Sequence, residues 1–67
     1  MKVNRQKLEL AMARGCMNPK DLAKSAGMPV QTVNRALLGR GVRPATIGRI
    51  AKALGCDVAD ILEGGNS

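Results

Sequence analysis

Residues 18–38 read Asn18-Pro19-Lys20-Asp21-Leu22-Ala23-Lys24-Ser25-Ala26-Gly27-Met28-Pro29-Val30-Gln31-Thr32-Val33-Asn34-Arg35-Ala36-Leu37-Leu38. The pattern predicts two short helices joined at Gly27. Asn18 stands where an N-cap belongs, with Pro19 at the first helical position and Asp21 at the third. Met17 and Leu22 have the spacing of a hydrophobic staple around that cap. Gly27 ends the helix, where the backbone must enter the left-handed region for a sharp turn. Met28-Pro29 opens the next helix; Pro29 pre-sets its first turn, and Met28 offers no side-chain oxygen for capping. This helix runs to about Leu38 and stops at Gly39. Its back is apolar (Val33, Ala36, Leu37) and its front is polar (Gln31, Asn34, Arg35).

Two helices joined by a short Gly-containing turn form a helix-turn-helix. Its tight crossing requires a small residue, and Ala23 stands four places before Gly27. The second helix requires an apolar anchor, and Val33 stands six places after the glycine. Leu22, Ala26, Met28 and Ala36 fill the remaining inward positions. At about 100° per residue, Val30, Gln31, Asn34 and Arg35 share the outward face. The front carries side chains suited to base edges in a DNA major groove: Gln31 and Asn34 match adenine, Arg35 matches guanine, and Val30 suits a thymine methyl. Thr32 projects sideways, toward a base or a phosphate. The bland alternative for this front is a solvated face opposite a core.

The flanking sequence supplies the rest of an all-α fold. Asn4 caps a first helix, with Val3 and Leu8 as its staple pair; it runs to about Arg14 and stops at Gly15. Leu8, Ala11 and Met12 face inward. Residues 39–43, Gly-Arg-Gly-Val-Arg, form a basic loop. Pro44 starts a fourth helix with Ile47, Ile50, Ala51 and Leu54 on one stripe, and Gly55 ends it. Asp57 caps a last short helix, with Asp60 three residues on and Ile61-Leu62 as its apolar anchor. Residues 62–67 form a frayed tail. The expectation is a compact five-helix domain spanning residues 1–67, with no strand and no repeat.

Composition narrows the function classes. A chain of 67 residues holds one small core, burying only about 60% of its unfolded surface. Apolar residues make up 45%, yet Phe, Tyr and Trp are absent, so the core uses Leu, Ile, Val, Ala and Met. Without aromatic rings there is no stacking platform for single-stranded bases. Eleven Lys/Arg against five Asp/Glu give a net charge of +6 and a pI near 10.2, which attracts polyanions. Lys20, Lys24, Arg35, Arg40 and Arg43 fall in or just after the two-helix segment, where Asp21 is the sole acid. Glu9, Asp57, Asp60 and Glu63 lie elsewhere. Cys16 and Cys56 are too few for a zinc site in a chain without His. Their count permits one disulfide; in a reduced cytosol they read as small, partly buried thiols. No signal peptide or membrane-length apolar run is present, which points to a cytoplasmic chain.

The arrangement resembles the Cro and repressor helix-turn-helix family of phages and bacteria, the lambda repressor-like DNA-binding domains. The resemblance extends from about Val3 to Leu62. It includes the two-helix segment, the basic loop with Arg43-Pro44, the run Ile50-Ala51-Lys52-Ala53-Leu54-Gly55 and the ending Val58-Ala59-Asp60-Ile61-Leu62. It implies a double-stranded DNA-binding transcription regulator, a repressor in type, whose third helix lies in the major groove. Val30, Gln31, Thr32, Asn34 and Arg35 then face the bases. Asn18 and Lys20, at the start of helix two, and Arg40, Arg43 and Thr46 grip phosphates. The resemblance also implies a homodimer, at least on DNA, with contacts around Gly55, Cys56, Val58 and Leu62. Three positions depart from the family pattern: Pro19 stands where a phosphate-binding Gln is frequent, and Leu38 where Asn is frequent. Met12 and Leu37 replace an Arg–Glu pair, which implies an apolar contact there.

A second reading is a protein-interaction module on the same fold, such as an antitoxin-like partner, with Leu38 and Val42 in an exposed contact patch. An enzyme is the weakest reading. There is no His or Tyr, the cysteines lack a nearby base, and the small shell leaves little room for a closed pocket. No metal, cofactor or small-molecule ligand is expected.

Overall fold

The computed structural model describes residues 2–62. Four α-helices follow in order: α1 (Arg5–Arg14), α2 (Pro19–Ala26), α3 (Val30–Leu37) and α4 (Pro44–Leu54). The expected fifth helix is a single 3-10 turn at Val58–Asp60. The chain ends differ from the sequence reading for a backbone reason. Asn4 N–H donates to the Ile61 carbonyl at 2.7 Å, and Val3 pairs with Leu62 as an isolated antiparallel bridge. Ile61 closes the final turn (φ −123°, ψ −3°) and, with Leu62, is held against the N-terminal segment. The polar tail and Glu63 lie outside the described residues.

The helix starts follow the caps written in the sequence. The Asn4 side chain accepts from Lys7 N–H at 2.9 Å. At α2 the box is complete: Asn18 Oδ1 accepts from Asp21 N–H at 2.8 Å, and Asp21 Oδ2 accepts from Asn18 N–H at 3.2 Å. The start of α3 differs by one place, because Pro29 is itself the cap residue (φ −63°, ψ 146°). A ψ in the extended region suits a residue whose successor begins the helix. No side chain caps α3 or α4.

All four helices close with the same pair of hydrogen bonds, the Schellman arrangement. At α2, Gly27 N–H donates to Lys24 O at 3.2 Å and Met28 N–H to Ala23 O at 3.0 Å, with Gly27 left-handed at φ +69°. At α1 the left-handed residue is Cys16 (φ +56°), not Gly15 (φ −89°). Met17 N–H then donates to Met12 O at 2.9 Å, and Met17 packs against the core. The closure is placed so that this apolar side chain turns inward, and that register falls one residue past the glycine.

The core consists of Val3, Leu8, Met12, Leu22, Ala23, Val33, Ala36, Ile47, Ile50, Ala51 and Ile61. α2 packs on α3 and α4, α1 on α3, and α4 on the final turn. Ala23, Ala36 and Ala51 place one small buried residue on each of α2, α3 and α4, which lets these backbones approach without aromatic filling. No polar or charged residue is buried among the described residues. Both staple pairs serve as read, with Val3, Leu8 and Leu22 buried and Met17 packed beside them. No helix among the described residues is long and apolar enough to cross a membrane.

The left-handed Cys16 generates a stability prediction. A side chain in that region costs about 1–2 kcal/mol, while glycine adds about 0.4–1 kcal/mol of unfolded-state entropy. Cys16→Gly should therefore stabilise by about 0.5–1 kcal/mol in urea unfolding. Gly27→Ala, at a position already held by glycine, should destabilise by about 1–2 kcal/mol. Loss of stability in both variants would contradict the assigned closure of α1.

Candidate nucleic-acid interface

The site begins with the outer face of α3. Gln31, Asn34 and Arg35 are exposed, while Val33 and Ala36 on the opposite side are fully buried. Val30 is half-buried and packs against the core, so it stands at the edge of this face and not on its open centre. Thr32 is also half-buried. The two amides and the guanidinium thus form the accessible part of the expected reading face.

Beside them lies a cleft of ≈ 430 Å³ lined by Thr32, Arg35, Gly41, Val42, Arg43 and Thr46. It joins the flank of α3 to the 39–43 loop and the first turn of α4. Two guanidinium groups and two hydroxyls converge there, a donor set matched to phosphate oxygens. The first turn of α4 adds backbone donors. Pro44 has no N–H, and no side chain caps the helix, so the Ala45 and Thr46 N–H groups project from an open helix N-terminus. Gly41 offers nothing within 4 Å of where a Cβ would stand, so the loop backbone is open on that side. The sequence pointed to Arg35, Arg43 and Thr46 separately; their meeting in one cleft with Val42 depends on the path of the loop.

The loop leaves α3 through a left-handed Gly39 (φ +75°), with Arg40 N–H donating to Arg35 O at 3.1 Å. The residue after the left-handed position is apolar at the other helix ends (Met17, Met28, Cys56), but here it is the exposed Arg40. Val42, expected in an exposed patch with Leu38, is half-buried and packs against the core. Its side chain ties the loop down between Arg40 and Arg43. Leu38 remains outward at 67% exposure.

At the start of α2, the capping box takes up the Asn18 N–H and side-chain oxygen, and Pro19 has no N–H. Lys20 and the Asn18 side-chain amide N–H groups remain as donors there. Next to them a second recess is lined by Glu9, Met12, Ala13, Met17, Asn18, Pro19 and Leu37. Met12 and Leu37, expected in apolar contact, both line this recess.

The charges on this face are uncommitted. Among the described residues the ion pair is Arg5 to Glu9, 3.4 Å, on exposed α1. Among the described residues Lys20, Arg35, Arg40 and Arg43 have no acidic partner. No group of three or more His, Cys, Asp or Glu residues suited to a metal occurs among the described residues. The residues expected at a dimer contact lie elsewhere. Gly55 is exposed, and Cys56, Val58 and Leu62 are half-buried against the core. Burial, together with Asp60 and Asp57, pushes the Cys56 thiol above its ordinary pKa, opposed by Arg14.

The sequence profile of the Cro/C1-type helix-turn-helix DNA-binding domain matches residues 7–64. The chain belongs to this family, and the outward α3 with its cationic cleft is set in a helix-turn-helix DNA-binding domain. Comparison with curated proteins and with solved structures gave no match.

Because the exposed side chains of these arginines make no ion pair among the described residues, Arg35→Ala, Arg40→Ala and Arg43→Ala should each leave unfolding free energy within about 0.5 kcal/mol of the parent. Urea titration by circular dichroism measures this. A larger loss in any of the three would assign that arginine to the scaffold.

Proposed function

We propose that the chain is a sequence-specific regulator of transcription that acts as a repressor by occupying double-stranded DNA. In this reading residues 1–67 work as one DNA-binding domain. α3 enters the major groove, with Gln31, Asn34 and Arg35 at base edges and Val30 and Thr32 at the margins of the contact. Arg40, Arg43 and Thr46 hold the backbone on one side of the groove, and Asn18 and Lys20 hold it on the other. The supporting observation is the cleft in which Arg35 and Arg43, both without acidic partners among the described residues, meet beside the open start of α4.

Small size favours a homodimer on DNA. A single copy presents one α3 and few base contacts, whereas two copies on half-sites about 34–36 Å apart multiply them. The dimer contact proposed from the family resemblance involves Gly55, Cys56, Val58 and Leu62. A compact domain seated in the groove regulates most directly by excluding other proteins from the same duplex, which supports repression over activation.

Selection of bound duplexes from a random pool tests the reading and returns the half-site and its symmetry. On the selected site, Arg35→Ala should cost about 1–3 kcal/mol and relax preference at one base pair. Arg43→Ala should weaken specific and random duplexes about equally and reduce the salt slope by about 0.9. A binding constant insensitive to salt, or no enriched sequence, would sink the proposal.

A further inference from the structure

Leu38 is 67% exposed, although Leu37 just before it is half-buried against the core. Its place is set by the register of α3. Leu38 N–H donates to the Asn34 carbonyl at 2.9 Å, so the helical path extends through it. At about 100° per residue, Leu38 falls within about 20° of Gln31 around the helix axis. Gln31, Asn34, Arg35 and Leu38 therefore share one exposed stripe at positions i, i+3, i+4 and i+7, opposite the buried Val33 and Ala36. The stripe carries three polar side chains and one large apolar one.

We propose that Leu38 is a further specificity-determining residue of this face and packs on a C5-methyl group in the major groove; this rests on the DNA-binding reading of α3. The ligand follows from what base edges offer. In the major groove they present hydrogen-bond donors and acceptors and one apolar group, the thymine methyl. A leucine side chain matches only the methyl. The same methyl is carried by 5-methylcytosine, so the shared chemistry is a C5-methylated pyrimidine. A protein-docking patch needs contiguous apolar surface, which is not what surrounds Leu38. Val42 is half-buried against the core, and the neighbours Asn34, Arg35 and Arg40 are exposed and polar. An occupant of Leu38 must also cover two cations, which suits a polyanion.

Spacing adds a second constraint. Leu38 stands seven residues beyond Gln31, about 10 Å along the helix axis. That distance matches about three base-pair steps. Recognition helices that lie along the groove read DNA over two turns at this same i, i+3, i+4, i+7 spacing. Leu38 thus reads a pair at the opposite end of the contact from Gln31, with Arg35 between them.

The test uses the full chain and its selected duplex, with each thymine replaced in turn by deoxyuridine. That change removes the methyl and keeps every hydrogen-bonding group. One replacement should weaken the parent about fourfold, the worth of one buried methyl. It should lie about three base pairs from the pair that Gln31→Ala relaxes. Leu38→Ala should bind the thymine and deoxyuridine duplexes equally at that pair. Leu38→Met, which keeps an apolar reach, should retain the discrimination, and circular dichroism checks that each variant is folded. At the same pair, 5-methylcytosine should bind better than cytosine and thymine better than both; 5-methylcytosine above thymine assigns the contact to a methylated duplex. A Leu38→Ala variant that keeps the parent's response at every thymine overturns the role of Leu38. A selected duplex in which no replacement matters overturns it too, and in both cases α3 stands as a DNA reader. A pool with no enriched duplex overturns both readings together.

Discussion

The turn at Gly27 decides where every functional group of this chain can stand. A left-handed residue there lets Met28 N–H reach back to Ala23 O, so α2 ends and the chain reverses within a single turn. Ala23, almost fully buried, removes the bulk that would separate the two helices. The remainder follows as packing. With α2 and α3 crossed closely, Leu22, Val33 and Ala36 share one core with Ile47 and Ile50, and the opposite side of α3 is forced outward. Gln31, Asn34 and Arg35 are presented to solvent because their neighbours on the helix are claimed by that core.

A core without buried polar groups has an electrostatic consequence. Among the described residues every charged side chain sits at the surface, where a single exposed pair, Arg5–Glu9, contributes roughly 0.3–0.5 kcal/mol at most. Basic residues along α3, the loop and α4 are thus available to an external polyanion and not to internal partners. The uncapped starts of α3 and α4 belong to the same pattern. α1 and α2 satisfy their first N–H groups with Asn4 and Asn18, whereas the helices on the cationic cleft leave theirs open. An anion docking there supplies what a capping side chain would.

Local rules carried most of the fold. The Asn18–Asp21 box, both staples and the helix stops at Gly27 and Gly55 are interactions between near neighbours, so spacing alone exposes them. The misreadings arose where distant segments meet. Ile61 and Leu62 have the residue types of a helix anchor, but Asn4 N–H takes the Ile61 carbonyl and Val3 bridges Leu62, both from the far end of the chain. Val42 sits in a Gly- and Arg-rich stretch that reads as fully solvated, and burial of its side chain depends on how the loop returns to α4. α1 ends at Arg14 with Gly15 as its C-cap, as its residue type indicates, while the left-handed conformation falls one residue later, at Cys16. At the site, the outward character of Gln31, Asn34 and Arg35 was legible from helical period. The cleft that brings Arg35 to Arg43 and Thr46 was not, because it requires the loop's path in three dimensions.

The end of α3 shows how one closure serves two demands. After the left-handed residue, Met17, Met28 and Cys56 each carry a side chain that packs against the core, which fastens the following segment to the body of the domain. The same backbone bonds close α3, but Arg40 occupies that position and stays exposed. The helix is thereby terminated without pulling its successor inward. Val42, two residues later, performs the fastening instead, so that Arg40 and Arg43 project on either side of a loop held at one apolar point. Replacing the closure's usual apolar residue with arginine moves the anchor along the chain by two positions. That shift holds a flexible, glycine-rich loop in place while keeping both of its cations turned toward solvent.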